Sequence, residues 1–495
     1  MDIHIRLGRR GGLTEQIYRQ LFAAVLDGRL RAGARLPPTR ELAVRLAVSR
    51  NTVALAYERL VAEGVAEGRV GAGTYVVDAS PPRVDASRRR APVGAVHPLP
   101  VWRAIAVLPP RRESAVPYDF RPGTPDSALF PFSAWRRLMA AALRESAPRY
   151  ASDAHPAGHD GLRAAIARHV GVSRAVKTNA DDVVVTHGAQ QAFDLIGRVL
   201  LAPGTVVALE DPGYPRVRLL YRSLGARLAG VPVDDEGLVV DAIPATAKVV
   251  YVTPSHQFPL GRVMSLRRRA ALLAWAERRG GVIIEDDYDS EFRFGGRPLD
   301  PLQSLDRAGR VLYVGSFSKV LLPALRLGFV IAPASLQPAL QAARQLTDWH
   351  GEPAAQAALA RFIDEGLLAR HIRAVTRHYA ARYARVTAGI EARLSHWLRV
   401  VPSAAGLHVA AEQVGRAPDL ADVIARAGSR GVAAARLADY AMTTPVHDGL
   451  VLGFGGISGD AIDEGLARLA TAFTAASRSS AIRHRRGNVE SCSGS

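Results

Sequence analysis

Apolar positions follow two different periods along this chain, and the change of period divides it into regions. Near the N-terminus Ile17, Leu21, Ala24 and Val25 recur at helical spacing, and two shorter helical patterns follow them. From residue 118 to about residue 477, short apolar runs alternate with amphipathic helical windows. The runs occupy 183–186, 206–210, 249–253, 282–286, 311–315 and 328–332, with helices such as 190–201 and 265–279 between them. This alternation predicts an α/β fold whose mostly parallel sheet is covered on both faces.

The first 78 residues predict three helices followed by a pair of strands. The second helix follows two prolines, and we expect Thr39 to cap it because a proline side chain cannot accept a hydrogen bond. Ser49 is placed to cap the third helix. Residues 67–77 are rich in glycine and predict a two-stranded wing.

The N-terminal turn of the third helix presents polar side chains that suit a nucleic acid. Arg50, Asn51 and Thr52 can reach phosphates and base edges when a recognition helix enters the major groove, although the pattern alone leaves a protein-interaction module open. The segments 36–43 (LPPTRELA), 48–53 (VSRNTV) and 71–76 (GAGTYV) resemble the winged helix-turn-helix of the GntR family. This resemblance implies that those three residues and Arg40 contact DNA, with the wing at Gly73 beside the DNA backbone. One departure is residue 38, a proline where that family usually has a serine.

Composition and charge extend this picture. The formal net charge is +18, with +4 over residues 1–78, +5 over 79–117 and +3 over 478–495. Such clustered positive charge favours a polyanionic partner, although solvated surface arginines would give the same pattern. Residues 79–117 are rich in proline and arginine and predict a basic linker, and 478–495 predict a disordered tail.

The single cysteine, Cys492, excludes an intrachain disulfide. Neither a membrane-spanning run nor a signal peptide is evident, so we expect a cytoplasmic protein.

A cluster of acids ends the apolar run at 282–286. In open α/β sheets ligands bind at the carboxyl ends of the strands, which is where Asp286 and Tyr288 fall. A carboxylate there can keep a pyridine nitrogen protonated, and a phenol can donate to a ring oxygen. Two alternatives stay open, a solvated acidic loop or a Mg²⁺ site built from Glu285, Asp286, Asp287 and Asp289, although no phosphate-binding P-loop accompanies the acids.

A lysine and a phosphate cradle are also present. Lys319 comes shortly after the run 311–315 and is the only lysine between Lys248 and the C-terminus, in a chain that otherwise uses arginine, whose guanidinium cannot form an imine. A glycine-containing turn after 183–186 begins a helix, and the amides at a helix N-terminus attract phosphate. The residues expected to hold the phosphate are Gly188, Ala189, Gln190, Ser316, Ser318 and Arg326.

An aromatic residue completes the set. Tyr214 follows the run 206–210 and could stack on a ring, and Arg216 could face a carboxylate, with ordinary packing as the alternative for the tyrosine. A lysine amine, a carboxylate, a phenol and a phosphate cradle are the four demands that pyridoxal phosphate makes on a protein. The sequence therefore predicts pyridoxal 5'-phosphate as the cofactor and no bound metal.

These segments resemble the fold-type I aminotransferases, and more closely the MocR/GabR regulators, in which such a domain follows a GntR-type winged helix-turn-helix. The matching stretches are 253–261, 284–292, 317–319 and 323–326. The resemblance implies a homodimer and, over 118–477, an aminotransferase-like domain with a smaller C-terminal α+β subdomain. It also implies Lys319 as the Schiff-base lysine, Asp286 at the pyridine nitrogen, Tyr288 at the ring hydroxyl and Tyr214 as the stacking partner. Departures are Leu260, usually threonine or serine, and the looser stretch 150–158.

Three hypotheses about function follow, of which we favour the first. It is a transcription regulator in which an amine or amino-acid effector displaces Lys319, or in which pyridoxal phosphate is itself the effector. Binding of the effector changes the spacing between the tethered DNA-binding units. The second is an active aminotransferase that carries a DNA-binding domain, and the third is a DNA-binding scaffold with a vestigial pocket. Aminotransferases grip the substrate carboxylate with an arginine near the last strand; residues 448–454 contain none, which leaves Arg436 and Arg216 as candidates.

Overall fold

The protein is described by a computed structural model that covers residues 5–8, 12–69, 71–77, 96–105, 116–146, 154–295, 299–403, 405–415, 417–443 and 448–492. The chain forms two compact units, residues 1–98 and 99–495. Within the described residues, no helix is both long enough and apolar enough to cross a membrane.

The N-terminal unit contains three helices and a two-stranded antiparallel wing. They are α1 (Leu13–Leu26), α2 (Thr39–Leu46), α3 (Arg50–Ala62), β1 (Ala66–Arg69) and β2 (Gly73–Val76). The predicted stripe of α1 is buried, with Ile17 and Leu21 fully inaccessible and packed in one core with Val53 and Leu60 of α3. The three helices and the wing are therefore as the sequence predicted.

The caps of the two helices of the helix-turn-helix differ from each other. Ser49 caps α3 as predicted, because its hydroxyl accepts a hydrogen bond from the Thr52 amide at 3.1 Å. The prediction that Thr39 caps α2 is wrong. The amide of Leu42 donates to the Pro38 carbonyl at 3.0 Å, so Pro38 occupies the N-cap position and Thr39 is already the first helical residue.

The C-terminal unit contains the remaining elements. They are α4 (Pro100–Ala104), β3 (Tyr118–Asp119), α5 (Phe132–Ser146), α6 (Asp160–Arg174), β4 (Val183–Thr186), α7 (Gly188–Leu200), β5 (Val206–Asp211), α8 (Pro215–Ser223), β6 (Arg227–Asp234), β7 (Gly237–Leu238), β8 (Ala247–Val252), α9 (Leu266–Arg279), β9 (Val282–Asp287), α10 (Leu302–Leu305), β10 (Val311–Ser316), β11 (Gly328–Ile331), α11 (Gln337–Asp348), α12 (Pro353–Asp364), α13 (Leu367–Leu394), β12 (Leu398–Val400), β13 (His408–Gln413), α14 (Leu420–Gly428), β14 (Val432–Ala433), β15 (Ala435–Arg436), β16 (Gly449–Gly453) and α15 (Gly459–Cys492).

An eight-stranded sheet lies at the centre of this unit, in the order β4-β11-β10-β9-β8-β5-β6-β7. Strands β10, β9, β8, β5 and β6 are parallel to one another. Strand β11 is antiparallel to both β10 and β4, and β7 is antiparallel to β6. The six predicted apolar runs correspond to six of these strands, so the mostly parallel sheet is confirmed.

Both faces of the sheet are covered. In β5, Val207 and Leu209 pack in one core with Phe193 of α7, whereas Ala208 packs in another with Trp275 of α9. Successive residues of a strand point to opposite faces, so a strand that is covered on both sides needs apolar residues at every position. This is why the strands appear in the sequence as unbroken apolar runs.

A smaller antiparallel sheet, β12-β13-β16-β15, forms the predicted C-terminal α+β subdomain. Leu450 of β16 lies in the same core as Leu394 of α13, Val423 of α14 and Leu469 of α15. The short parallel pair β14 and β3 joins the beginning of the aminotransferase-like region to this subdomain.

Two segments predicted to be irregular contain helix. Helix α4 lies inside the predicted linker 79–117, and it begins with Pro100, a residue that suits the first helical turn. Residues 79–95 and 106–115 of the linker lie outside the described residues. The predicted disordered tail 478–495 is also wrong up to Cys492, where α15 ends. That helix is already nucleated on buried Leu466 and Phe473, and extending an existing helix costs far less than starting one.

Candidate functional site

The acids at the end of β9 point to opposite faces of the sheet. Glu285 accepts hydrogen bonds from the amides of Leu302 and Gln303 at 2.8 and 2.9 Å. Asp287 accepts from Arg174 Nε at 2.9 Å. Since side chains alternate along a strand, Asp286 alone faces the other way. Glu285, Asp286 and Asp287 therefore do not converge on one ion, which argues against a Mg²⁺ site built from all four acids.

Asp286 is buried and only partly satisfied. Its Oδ2 accepts a hydrogen bond from the Tyr251 hydroxyl at 2.6 Å, and its Oδ1 has no partner among the described residues. Burial raises the pKa of the Asp286 carboxyl to about 7, against the lowering effect of the Tyr251 hydrogen bond and of the Lys319 charge. An unpaired buried carboxylate oxygen costs free energy unless a donor reaches it. Oδ1 of Asp286 can therefore accept a hydrogen bond from a protonated nitrogen of a ligand.

Tyr288 takes part in a hydrogen-bonded group that the sequence did not indicate. Its hydroxyl lies 3.0 Å from Nδ1 of His256, and the same Nδ1 lies 3.0 and 3.1 Å from the two carboxylate oxygens of Asp289. His256, Asp289 and His408 are buried, and each offers a ligand atom within 4.8 Å of the others. His408 Nε2 lies 3.0 Å from the Pro259 carbonyl, so hydrogen bonds within the protein already explain this cluster.

Lys319 lies just beyond the end of β10. Its Nζ donates to the carbonyl of Gly123 at 2.6 Å. Gly123 has φ +97°, and a Cβ at this position would lie 3.3 Å from Nζ of Lys319. The lysine amine therefore packs closely against the backbone of a residue that has no side chain. Nearby, the hydroxyls of Ser316 and Ser318 are 3.0 Å apart, and the Ser318 amide donates to Ser316 Oγ at 3.1 Å.

The predicted phosphate cradle assembles at the start of α7. Gly188 is the first residue of α7 and has φ +72°, and a Cβ there would lie 3.1 Å from Nη2 of Arg326. Arg326 donates to the carbonyl of His187 at 2.6 Å. Ala189 and Gln190 belong to the same first turn, where backbone amides lack partners within the helix, and Oε1 of Gln190 is buried without a partner among the described residues. A cationic guanidinium and amides without partners in the helix, both at one helix N-terminus, suit a phosphate.

The predicted aromatic and effector residues lie in different settings. Tyr214 precedes α8, and its ring meets that of Phe258 edge to face, with centroids 5.7 Å apart. Arg216, in the first turn of α8, is exposed. Arg436 on β15 forms an ion pair with Asp448, with Nη2 and Oδ2 2.7 Å apart.

The predicted DNA contacts lie on the surface of the N-terminal unit. Arg40, Arg50 and Asn51 are exposed at the beginnings of α2 and α3. The hydroxyl of Thr52 lies 2.7 Å from Ser49 Oγ, so Thr52 also takes part in the cap of α3. The wing residue Gly73 is exposed, and a Cβ there would lie 2.9 Å from Nε of Arg35.

Several residues of the site could not be predicted individually. His256 lies in the matching stretch 253–261, but nothing in the sequence pairs it with Tyr288 or Asp289. Tyr251 is one apolar position of a buried run, and Gly123 lies 196 residues from Lys319. No local pattern marks these two contacts, because each depends on which strands and loops become neighbours.

The residues that converge here fit pyridoxal phosphate. Asp286 has a buried oxygen without a donor among the described residues, the amine of Lys319 is nearby in the same unit, and a Cβ at Gly188 would lie only 3.1 Å from the Arg326 guanidinium. Asp286 would hold the pyridine nitrogen and Lys319 the aldehyde carbon. The residues that would hold the phosphate are Gly188, Ala189, Gln190, Ser316, Ser318 and Arg326.

Comparison with known families and structures agrees with both halves of this description. The family model "Aminotransferase class I and II" matches residues 124–425, and "Bacterial regulatory proteins, gntR family" matches residues 13–76. A crystal structure of Pyrococcus horikoshii kynurenine aminotransferase in complex with PMP superposes with a TM-score of 0.68 and 27% identity, covering 73% of this chain and 91% of that one.

Full-length relatives share the combination of the two domains. The chain is 37% identical to the "Probable rhizopine catabolism regulatory protein MocR" of Rhizobium meliloti, over 95% of each chain. It is 33% identical to the HTH-type pyridoxine biosynthesis transcriptional regulator PdxR of Corynebacterium glutamicum, over 93% of this chain and 95% of that one. This chain therefore belongs to the MocR-type transcription regulators, in which a GntR-type winged helix-turn-helix is followed by a pyridoxal-phosphate-binding domain of aminotransferase fold.

Proposed function

We propose that this regulator senses a primary amine through Lys319 and responds by changing how it binds DNA. Bound pyridoxal phosphate supplies an electrophilic carbon that exchanges one primary amine for another. The observation that carries the proposal is the position of the lysine. The Lys319 amine lies against the Gly123 carbonyl and is close enough to Asp286 for its charge to lower the pKa of that carboxyl. An amine effector would take the place that Lys319 occupies.

The state of the arginines supports sensing over turnover of α-amino acids. Arg436 is paired with Asp448, and Arg216 is exposed on α8 rather than buried in the site. An enzyme that turns over amino acids gains rate from a guanidinium that grips the substrate carboxylate. The effector is thus an amine or amino acid whose recognition does not depend on Arg436, with pyridoxal phosphate itself as the other candidate effector.

We propose further that the regulator acts as a homodimer in the cytoplasm, where its DNA partner is found. Two DNA-binding units tethered to one dimeric core can occupy two half-sites at a spacing that the core sets. An effector shifts that spacing only if it binds one core geometry more tightly than the other. The proposal therefore requires coupling between amine binding and DNA binding.

The first test is the visible absorbance spectrum of the purified full-length protein and of Lys319→Ala. We expect a visible band from the cofactor bound to Lys319 in the wild type and its absence in the variant. Candidate amines are then added, and both the band and the affinity for a DNA duplex selected by the wild type are measured. A wild type that stays colourless after addition of pyridoxal phosphate would overturn the proposal, as would a band that Lys319→Ala retains.

The aminotransferase hypothesis makes a different prediction in the same experiment. If the protein is an enzyme, amine donors are converted through many turnovers in the presence of a keto acid, and Lys319→Ala abolishes this turnover. We expect amines to change the spectrum and the DNA affinity without such turnover. Sustained turnover would identify an enzyme that carries a DNA-binding domain.

A further inference from the structure

Tyr288, His256 and Asp289 form a hydrogen-bonded group, and the arrangement of its hydrogen bonds determines the direction of the Tyr288 hydroxyl hydrogen. Nδ1 of His256 is within hydrogen-bond distance of both Asp289 and the Tyr288 hydroxyl. A ring nitrogen carries either one hydrogen or one lone pair, and a carboxylate offers only lone pairs. Facing Asp289, Nδ1 carries the hydrogen and donates it to that carboxylate. The Tyr288 hydroxyl can then not donate to His256, so its own hydrogen is directed elsewhere.

The surroundings of the imidazole support this assignment. Nε2 of His256 is buried and has no partner among the described residues, so a hydrogen on it would be unsatisfied. Burial holds the pKa of His408 well below its usual value, so the imidazole of His408 beside His256 is neutral. The ring centroids of His256 and His408 are 4.9 Å apart.

Two glycines fix the position of the His256–Asp289 pair. Gly406 has φ +82°, and a Cβ there would lie 2.2 Å from Cε1 of His256 and 2.5 Å from Oδ2 of Asp289. A Cβ at Gly261 would lie 3.1 Å from Nε2 of His256. Close-packed backbone on two sides leaves the imidazole little freedom to change its partners.

Tyr288 remains a hydrogen donor in this setting. Burial is the main cause that raises the pKa of its hydroxyl far above the usual value, so the hydroxyl keeps its hydrogen. Nearby carboxylates act in the same direction. The titratable groups around the tyrosine and the imidazole are Asp289, Asp286, Glu210, Asp287, Lys319 and His408.

We propose that Asp289 and His256 are a positioning pair that keeps the hydrogen of the Tyr288 hydroxyl directed into the cofactor site. Neither residue touches the reacting atoms in this account; each acts through Tyr288. The inference rests on the proposed function, because it assumes that Tyr288 faces the ring oxygen of the cofactor. A donor at that oxygen stabilises negative charge there, and so lowers the pH at which the nearby Lys319 nitrogen loses its proton in the cofactor-bound protein.

The test is a pH titration of the visible band in the cofactor-bound, full-length protein. We expect Tyr288→Phe to raise the midpoint by about one pH unit or more, because a donor is lost. Asp289→Asn should also raise it, because Nδ1 of His256 is then able to accept the Tyr288 hydrogen and turn it away. Simple removal of the Asp289 charge acts in the opposite direction, since it destabilises a nearby cation. The sign of the shift therefore separates the two explanations.

A double variant and a rescue complete the experiment. In Asp289→Asn combined with Tyr288→Phe, we expect no rise beyond that of Tyr288→Phe alone, because the pair acts through the tyrosine. His256→Asn keeps an N–H where Nδ1 lies and should retain the wild-type midpoint, whereas His256→Phe should raise it. If Asp289→Asn does not fold, the comparison of the His256→Asn and His256→Phe midpoints tests the positioning pair by itself.

Several outcomes would overturn the proposal. They are a midpoint that falls or stays constant in Asp289→Asn, a further rise in the double variant, and equal midpoints for His256→Asn and His256→Phe. Failure of the proposed function looks different, because the wild type would then show no band that depends on Lys319. A Lys319-dependent band with midpoints insensitive to these substitutions would refute the positioning pair alone.

Discussion

The hydroxyl of Tyr251 donates to Oδ2 of Asp286 at 2.6 Å, and both side chains are buried where β8 and β9 lie side by side in the sheet. This hydrogen bond holds one oxygen of the carboxylate and leaves the other to the ligand. Asp286 is thus oriented to bind the cofactor, but its buried surroundings disfavour the charged form of its carboxyl group. Removal of this charge should therefore raise the stability of the protein and weaken cofactor binding.

Asp286→Asn should stabilise the cofactor-free protein at high pH while weakening cofactor binding. Burial raises the pKa of Asp286 from the usual 3.8 to about 7, so its protonated form contributes stability that is present below the unfolded value and lost as pH rises through about 7. Asparagine carries no charge and avoids this loss. We expect the cofactor-free variant to exceed the wild type by roughly 1–4 kcal/mol in unfolding free energy at pH 8, and by much less at pH 5.

Thermal unfolding of both cofactor-free proteins at the two pH values measures this difference. Burial also raises the pKa values of Glu210 and Glu291, which are present in both proteins. The Asp286 charge contributes to the raised pKa of Glu210, so its removal also eases the ionisation of Glu210 and acts in the same direction at pH 8. The exposed residue Asp241 provides the control, since Asp241→Asn removes the same charge without the burial. A variant that is less stable than the wild type at pH 8 would contradict the account.

Gly188→Ala should weaken cofactor binding by about tenfold, because the new Cβ displaces the Arg326 guanidinium by a few tenths of an ångström and strains a backbone with φ +72°. The matched control is Gly204→Ala. Gly204 has φ +87°, but no atom of the described residues lies within 4 Å of its Cβ position, so an alanine there meets the backbone strain alone. Titration with pyridoxal phosphate, followed by absorbance, gives both affinities. Equal losses in the two variants would show that Gly188 matters only for backbone conformation.

Arg50→Ala should weaken binding to a duplex that the wild type has selected from a random-sequence library, and should reduce discrimination between that duplex and a scrambled one. Arg50 is exposed at the first turn of α3, where a recognition helix meets base edges and phosphates. The control is Arg59→Ala on the same helix, because Arg59 is paired with Glu15 and Glu63. If the two variants lose affinity equally, the recognition surface has been assigned wrongly.

Gly73→Ala should impair DNA binding through Arg35. A Cβ at Gly73, which has φ +107°, would lie 2.9 Å from Nε of Arg35, so the exposed arginine lies flat on the wing. We expect Arg35→Ala to reduce the salt dependence of binding to a mixed-sequence duplex by about one phosphate contact, and Gly73→Ala to do the same. Gly71→Ala in the same wing is the control, because Gly71 has φ +75° and no atom of the described part of the chain lies within 4 Å of its Cβ position. An unchanged salt slope in Arg35→Ala would remove this residue from the interface.

Much of the fold follows from local pattern. Six strands were predicted from apolar runs because a strand covered on both faces must be apolar throughout, and Ser49 was predicted as a cap because a helix needs an acceptor at its start. Two of the local predictions failed for different reasons, one through a longer-range influence and the other through a local hydrogen bond. The tail became helical because the preceding turns of α15 are anchored on the core, and α2 begins at Thr39 because the Pro38 carbonyl accepts its first helical hydrogen bond.

The sequence by itself determined which chemical groups this protein has and the order in which they occur. The lysine after a buried strand, the acids at the end of another and the three motifs of the DNA-binding unit are all local in the chain, and local patterns need no knowledge of neighbours. Only the tertiary structure decided which groups meet. The order of strands brought Tyr251 to Asp286, and strand alternation turned Glu285 and Asp287 away from it. Close packing of backbone at Gly406 set His256 against Asp289, since contacts between residues distant in sequence arise only when the chain folds.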